Sequence, residues 1–205
     1  MNPSKYNLTF LSKQELETRL LGYNFDPIQM NKVISAYEIA EHVHQHQVRN
    51  DGTPYFYHCS RVCRIIIDEL NCTDEDVLSA SLLHDVLEEK SEEITKSVLE
   101  YNFGSYVTYI VETLTKDLER SRVNPEEVDL EQVDKLRNAS EDCLIIRLSA
   151  RLDNFRCLEF NIKRNPIQYI NETSERYIPL AENSSNALLQ YLVRELKKER
   201  NKFVG

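Results

Sequence analysis

Five residues stand out for the chemistry they could perform together: His58, the adjacent pair His84 and Asp85, and the acids Glu88 and Glu89. Imidazole and carboxylate are donors that a first-row divalent cation accepts, and further carboxylates beside it can carry protons. The set is the inventory of metal-assisted hydrolysis. Successive helical residues point about 100° apart, so His84 and Asp85 cannot share one side of a regular helix. Both reach one ion only where a helix borders a cleft. On a continuing helix Glu88 falls one turn beyond His84 and Glu89 one turn beyond Asp85, which predicts ligands and carboxylates on one wall. His58 must come from another helix.

The elements that position these groups read as helices. Apolar residues recur three and four apart, as at Val33, Ala36, Tyr37 and Ala40, or Val62, Ile65, Ile66 and Leu70. Leu78, Ser81, Leu82 and Asp85 continue that spacing through the motif helix, with Thr73 as its expected N-cap and acids at Asp74 and Glu75. Further helices are expected over Ser91 to Tyr101, Ser105 to Lys116, Ser140 to Phe160 and Ser174 to Lys198. Two-residue alternation is scarce, and the expected fold is an all-α multi-helix bundle around a central cleft. Arg49 to Pro54 breaks the pattern with Asn-Asp-Gly and then Pro, a loop between two helices. His58 then falls in the first turns of the next helix. From Asp117 to Asn138 apolar positions are few and charges many, so 117–138 reads as a mobile or partly ordered excursion, placed to form a lid.

Composition bounds the rest. A chain of 205 residues with four glycines, six prolines and no Ser/Gly-rich or Pro-rich divider reads as one domain over 1–205. Its 25 basic and 34 acidic residues leave a net charge of −9, which argues against nucleic acid as the main partner; a polyanionic small molecule needs only a local basic pocket. Five cysteines, Cys59, Cys63, Cys72, Cys143 and Cys157, are an odd number without CxxC spacing, which suggests neither a disulfide framework nor a zinc ribbon and fits a reducing cytoplasm. The N-terminal stretch lacks a signal-peptide core, and no segment approaches the ~18 apolar residues of a membrane span. A soluble, unanchored protein is expected, with homo-oligomerisation left open.

Three longer motifs sharpen the reading. His44, Gln47, Arg49, Gly52, Pro54, Tyr55 and His58 form HxxQxR-x-x-G-x-PY-x-x-H; His84 to Glu88 form HDxxE; and Arg151, Leu152, Asn154 and Arg156 form RLxNxR. With the later Glu172-Thr173 and Tyr177-Ile178-Pro179-Leu180-Ala181, this pattern resembles the RelA/SpoT-type guanosine alarmone hydrolases of the HD-domain class, from about Val33 to Leu196. The lack of a synthetase domain makes the chain most similar to the stand-alone small members. The resemblance implies removal of the 3′-pyrophosphate from ppGpp or pppGpp, with His58, His84 and Asp85 holding Mn²⁺. It further implies that Glu88 and Glu89 handle protons, and that Arg49, Tyr55, Asn154 and Tyr177 line the substrate pocket. The family usually has Glu-Asp where this chain has Glu88-Glu89, and often Lys at the Asn50 position.

One departure outweighs the single matches. The family segment K-L-A-D-R-L-x-N-x-R ends its metal site with the Asp before that Arg, and here the position is Ala150, which has no donor. Losing one anionic ligand weakens affinity for a hard or borderline cation. Three readings stay open: natural loss in an altered member, an engineered knockout, or replacement by Asp153 three residues on. The rival to a hydrolase is accordingly a binding module that senses a nucleotide or a partner protein. A third class is hydrolysis of an adenine alarmone or another 3′-phosphorylated nucleotide. His42 and His46 share a face but no third ligand accompanies them, so they read as solvated or core-edge histidines. Cys157 reads as an inert buried hydrophobe.

Overall fold

The computed structural model describes residues 6–89, 93–160 and 165–204. Among these residues the chain is all-α, and the one β pairing is an isolated bridge between Val48 and Pro54. A 3₁₀ turn, Tyr6–Leu8, precedes α1 (Lys13–Gly22), whose start is closed by a capping box of Ser12 and Glu15. Asp26 and Gln29 form the same device before α2 (Pro27–Val43), which begins on the proline that the first helical position favours. α3 (Phe56–Arg64) runs directly into a π turn, Ile65–Glu69.

The cap of α4 (Glu75–Leu83) is Asp74 and not Thr73. The Asp74 carboxylate accepts from the backbone N–H groups of Asp76 and Val77, and its charge suits the positive end of the helix dipole. A 3₁₀ turn, Val86–Glu89, then leads towards α5 (Lys96–Leu114). The two helices expected on either side of residue 104 are two arms of α5, broken at Gly104 by a backbone at φ 86° and ψ 169° that L side chains rarely adopt.

The charged stretch 117–138, expected as an excursion, carries α6 (Leu118–Val123) and α7 (Pro125–Arg137). α8 (Glu141–Arg156) and a 3₁₀ turn at Leu158–Phe160 fill the helix expected there. The single helix expected over Ser174 to Lys198 is instead α9 (Pro166–Glu172), a π turn (Thr173–Tyr177), α10 (Ile178–Ala181) and α11 (Ala187–Arg200). The break before α11 is held by Asn186, which caps Leu188, and by Gln190, whose amide donates to the carbonyls of Ala181, Glu182 and Ser184.

α4 and α8 are the central helices. Val77–Leu83 is buried on every side, and so is Cys143–Asp153, which is the mark of a helix enclosed by others. α2 packs along α4, α11 along α8, and α3 bridges α4 and α8. Each fully buried Leu, Ile, Val or Phe at these seams contributes roughly 1.5–3 kcal/mol. The candidate site opens where α3, the end of α4 and the middle of α8 meet.

Candidate active site

α4 ends one residue before the His-Asp pair, and this solves the problem of two adjacent ligands. His84 is the C-cap and Asp85 follows it in a turn, so neither is bound to the helical 100° step. The expected i,i+4 pairing of His84 with Glu88 therefore does not form. Glu88 instead follows Asp85 by one turn of 3₁₀ helix, with the Glu88 N–H donating to the Asp85 carbonyl at 3.1 Å. Three residues per turn stack Glu88 over Asp85, and both face one cavity. The Glu89 side chain lies outside the described residues.

His58, His84 and Asp85 are buried, and one ligand atom from each lies within 4.8 Å of the others. His84 Nδ1 is 2.7 Å from the Ser81 carbonyl, which can only accept, so the neutral ring carries its proton on Nδ1. That leaves the lone pair of Nε2 facing Asp85 Oδ2 at 3.2 Å with no hydrogen-bond partner. A lone pair against a carboxylate calls for a cation. Burial alone would lower the His84 pKa, but the Asp85 charge and its hydrogen bonding outweigh it and the net shift is upward, the direction in which positive charge between the two groups is favoured. His58 Nδ1 donates in the same way to Asp153 at 2.6 Å, leaving Nε2 directed towards Asp85 Oδ2 at 3.9 Å. Burial and the nearby Arg49 charge hold the His58 pKa down to about 4, so its ring is neutral at pH 7, as a ligand must be. The residues present thus suit a divalent cation.

Ala150 lines the same cavity and offers no donor. Asp153 does not take over its role. Both Asp153 oxygens are engaged, Oδ1 with Arg61 and Oδ2 with Arg61 and His58, and Oδ2 meets the His58 ring at the nitrogen opposite the cluster.

The cavity has a volume of about 360 Å³ and its remaining wall is basic, with Arg49, Lys116, Arg147 and Arg151. A second cavity of about 580 Å³ adjoins it and shares Asn50, Lys116, Ser121, Arg151 and Tyr169. A local basic pocket in a chain of net charge −9 is what a polyanionic small molecule requires. Gly52, at φ 82°, and the Val48–Pro54 bridge close the loop that carries Arg49. The Arg49 guanidinium donates to Asn154 Oδ1 at 2.5 Å, and Asn154 Nδ2 donates to the Tyr169 hydroxyl at 3.0 Å. Tyr55 lines the pocket and donates to Asp85 Oδ2 at 2.7 Å. Glu88 accepts from the Lys116 backbone N–H at 3.0 Å, and burial with the Asp85 charge raises its pKa to about 7.

Tyr177 does not reach the pocket wall. It is fully buried, with its ring 3.3 Å beneath the Arg151 guanidinium and its hydroxyl donating to Asp129 at 2.5 Å. Asp129, on α7, also accepts from Lys116 at 2.9 Å, Arg176 at 3.1 Å and Arg151 at 3.3 Å. Lys116, Arg147 and Arg151 are pocket residues that the sequence motifs do not single out as such. Arg151 stood inside the RLxNxR motif, but Lys116 belongs to no motif, and only its position at the end of a predicted helix pointed to it.

The HD domain family matches residues 36–184 of this chain. The chain belongs to the HD domain family. Among curated relatives, this HD-domain chain is 35% identical over 134 residues to guanosine-3′,5′-bis(diphosphate) 3′-pyrophosphohydrolase MESH1 of Mus musculus, covering 62% of this chain and 69% of that one. It is 31% identical over 172 residues to guanosine-3′,5′-bis(diphosphate) 3′-pyrophosphohydrolase of Aquifex aeolicus, covering 82% of this chain and 23% of that longer protein. Among solved structures, a metazoan ortholog of SpoT described as hydrolysing ppGpp superposes with a TM-score of 0.70 at 28% identity, covering 82% of this chain and 95% of that one. The RelA/SpoT-type resemblance and the all-α HD-type fold are both borne out.

Proposed function

We propose that this protein is a hydrolase that removes the 3′-pyrophosphate from guanosine tetra- or pentaphosphate, leaving GDP or GTP and releasing pyrophosphate. The observation that carries the reading is the meeting of His58, His84 and Asp85 with Glu88 in a cavity whose facing wall is basic. Relatives named for this reaction support it. His58, His84 and Asp85 would hold a divalent cation; the family resemblance implies Mn²⁺, with which mixed imidazole and carboxylate ligation is compatible. Bound there, the cation supplies Lewis acidity at a phosphoryl oxygen and a water of lowered pKa.

The chain's own residues do the rest. Lys116, Arg147 and Arg151 bind the phosphate oxygens and orient the ester against the acids, where much of the rate gain of a positioned reaction arises. Glu88, with a pKa of about 7, is poised to take up or deliver a proton at neutral pH. Glu89 is its partner by spacing in the sequence. Arg49, anchored through its hydrogen bond to Asn154 Oδ1, presents a planar guanidinium to the purine, and Tyr55 fixes the Asp85 carboxylate. Tyr177 acts behind the pocket by supporting Arg151.

A single domain over 1–205 acting in the cytoplasm fits five free cysteines and the finding that no helix among the described residues is long and apolar enough to cross a membrane. The test is product analysis after incubation with ppGpp and, separately, with its adenine counterpart. GDP and pyrophosphate in equal amounts from ppGpp, at higher kcat/KM than from the adenine compound, is expected. Monophosphate release, or no turnover of either compound, contradicts the reading.

A further inference from the structure

The carboxylate missing at position 150 has a counterpart at Asp153, one turn further along α8. Asp153 is completely buried. Its Oδ2 accepts from His58 Nδ1 at 2.6 Å and from Arg61 Nη2 at 3.2 Å, with Arg49 Nη1 3.5 Å away, and its Oδ1 accepts from Arg61 Nε at 2.6 Å. Arg61 is fixed in turn, because its Nη1 donates to the carbonyls of Asn7 at 3.0 Å and Thr9 at 2.9 Å in the N-terminal segment. The Asn7 and Thr9 carbonyls, Arg61, Asp153 and His58 thus form one hydrogen-bonded chain. Its last link fixes which nitrogen of His58 carries the proton.

Two facts follow for a cation in the cavity. The carboxylate on Nδ1 makes His58 a stronger donor at Nε2 and locks its ring plane, as carboxylate partners of metal-bound histidines do. The wall at Ala150 holds only a methyl group, so that side of the cavity would offer a cation no protein ligand. We propose that in this chain Asp153 is the positioning residue of a three-ligand metal centre, replacing by support of His58 what position 150 does not supply by ligation, and that the place beside Ala150 is taken by exchangeable water. This deepens the metal-dependent reading above and rests on it.

Calorimetric titration of the metal-free protein with Mn²⁺, water-proton relaxation of the Mn²⁺ complex and ¹⁵N spectra of His58 test the proposal without recourse to activity. Unmodified protein is expected to carry the His58 proton on Nδ1. Asp153→Asn is expected to weaken Mn²⁺ binding about 10- to 100-fold, the usual effect of removing such a partner. Asp153→Glu should recover part of the loss. Ala150→Asp should tighten binding and remove one fast-exchanging water from the complex.

A proton on Nε2 of His58 in the unmodified protein overturns the proposal, and that measurement requires no variant to fold. Folded Asp153→Asn with Mn²⁺ affinity within about twofold of the parent overturns it too, while leaving the metal-dependent reading intact. An unchanged water number in Ala150→Asp removes the open position. If neither the parent nor Ala150→Asp binds Mn²⁺, the metal-dependent reading itself fails, and the proposal with it.

Discussion

At the scale of single residues, the protein fixes its two histidines by giving each Nδ1 an acceptor that cannot donate: a backbone carbonyl for His84 and a carboxylate for His58. Glu88 shows the opposite design, a half-buried acid beside another acid, with burial as the larger cause of its raised pKa. A carboxyl raised in this way binds more protons folded than unfolded. Its favourable share of stability is present below the unfolded value of about 4.3 and is lost as pH rises through about 7. Glu88→Gln is therefore expected to raise Tm of the metal-free protein at pH 8, by roughly 2–4 °C per kcal/mol relieved. The same variant should cut pyrophosphate release about 10²- to 10⁴-fold with Mn²⁺ binding retained. Full turnover in Glu88→Gln would take this residue out of the proton chemistry. His58, His84, Asp85 and Glu88 were legible in the sequence because their motifs are short and local. The job of Asp153 was not, since it depends on Arg61 and on a segment some fifty residues earlier, at Asn7 and Thr9.

At the scale of elements, two devices set the pocket. The loop from Val48 to Pro54 aims Arg49 through a left-handed residue at Gly52, where an added Cβ meets nothing within 4 Å, so the penalty for Ala there is backbone strain alone. Gly52→Ala should cost on the order of 1 kcal/mol in stability and raise KM more than it lowers kcat. Calorimetry and steady-state kinetics check the two halves. The second device is Asp129, through which α7 grips Lys116, Arg151, Arg176 and Tyr177. Asp129→Asn should speed amide exchange across 118–137 tenfold or more while exchange in α4 stays slow. Equal acceleration in both would show that Asp129 serves the whole fold and not this arm. The sequence showed a charged stretch but not its helices, because the partners that order α7 come from α5, α8 and the turn after α9. The broken C-terminal region differs from the expected helix for another reason: Glu182-Asn183-Ser184-Ser185-Asn186 is a polar turn signal that interrupts the apolar spacing, and the Gln190 amide holds the chain there.

For the whole molecule, the main consequence is its response to acid. Burial opposes ionisation of Asp129 and Asp153, but Lys116 and Arg151 around the first, and His58 and Arg61 around the second, hold both carboxyls well below the usual range. A depressed folded pKa gives stability that is present above the unfolded value of about 3.9 and is lost as pH falls below it. Tm should therefore fall steeply below about pH 4, and the fall should be shallower in Asp129→Asn; a parallel curve would contradict the assignment. The helical class and the position of the cleft were readable from periodicity and motifs, since α4 and α8 are local patterns buried all round. The basic wall was not, because its cations are gathered from the link after α5, from α8 and from the Arg49 loop. The most direct measurement is pyrophosphate release from ppGpp by chelator-stripped protein, with and without added Mn²⁺, beside His84→Ala. Release that returns with Mn²⁺ in the parent and stays absent in His84→Ala is predicted. Equal release without the metal, or in His84→Ala, would contradict the account.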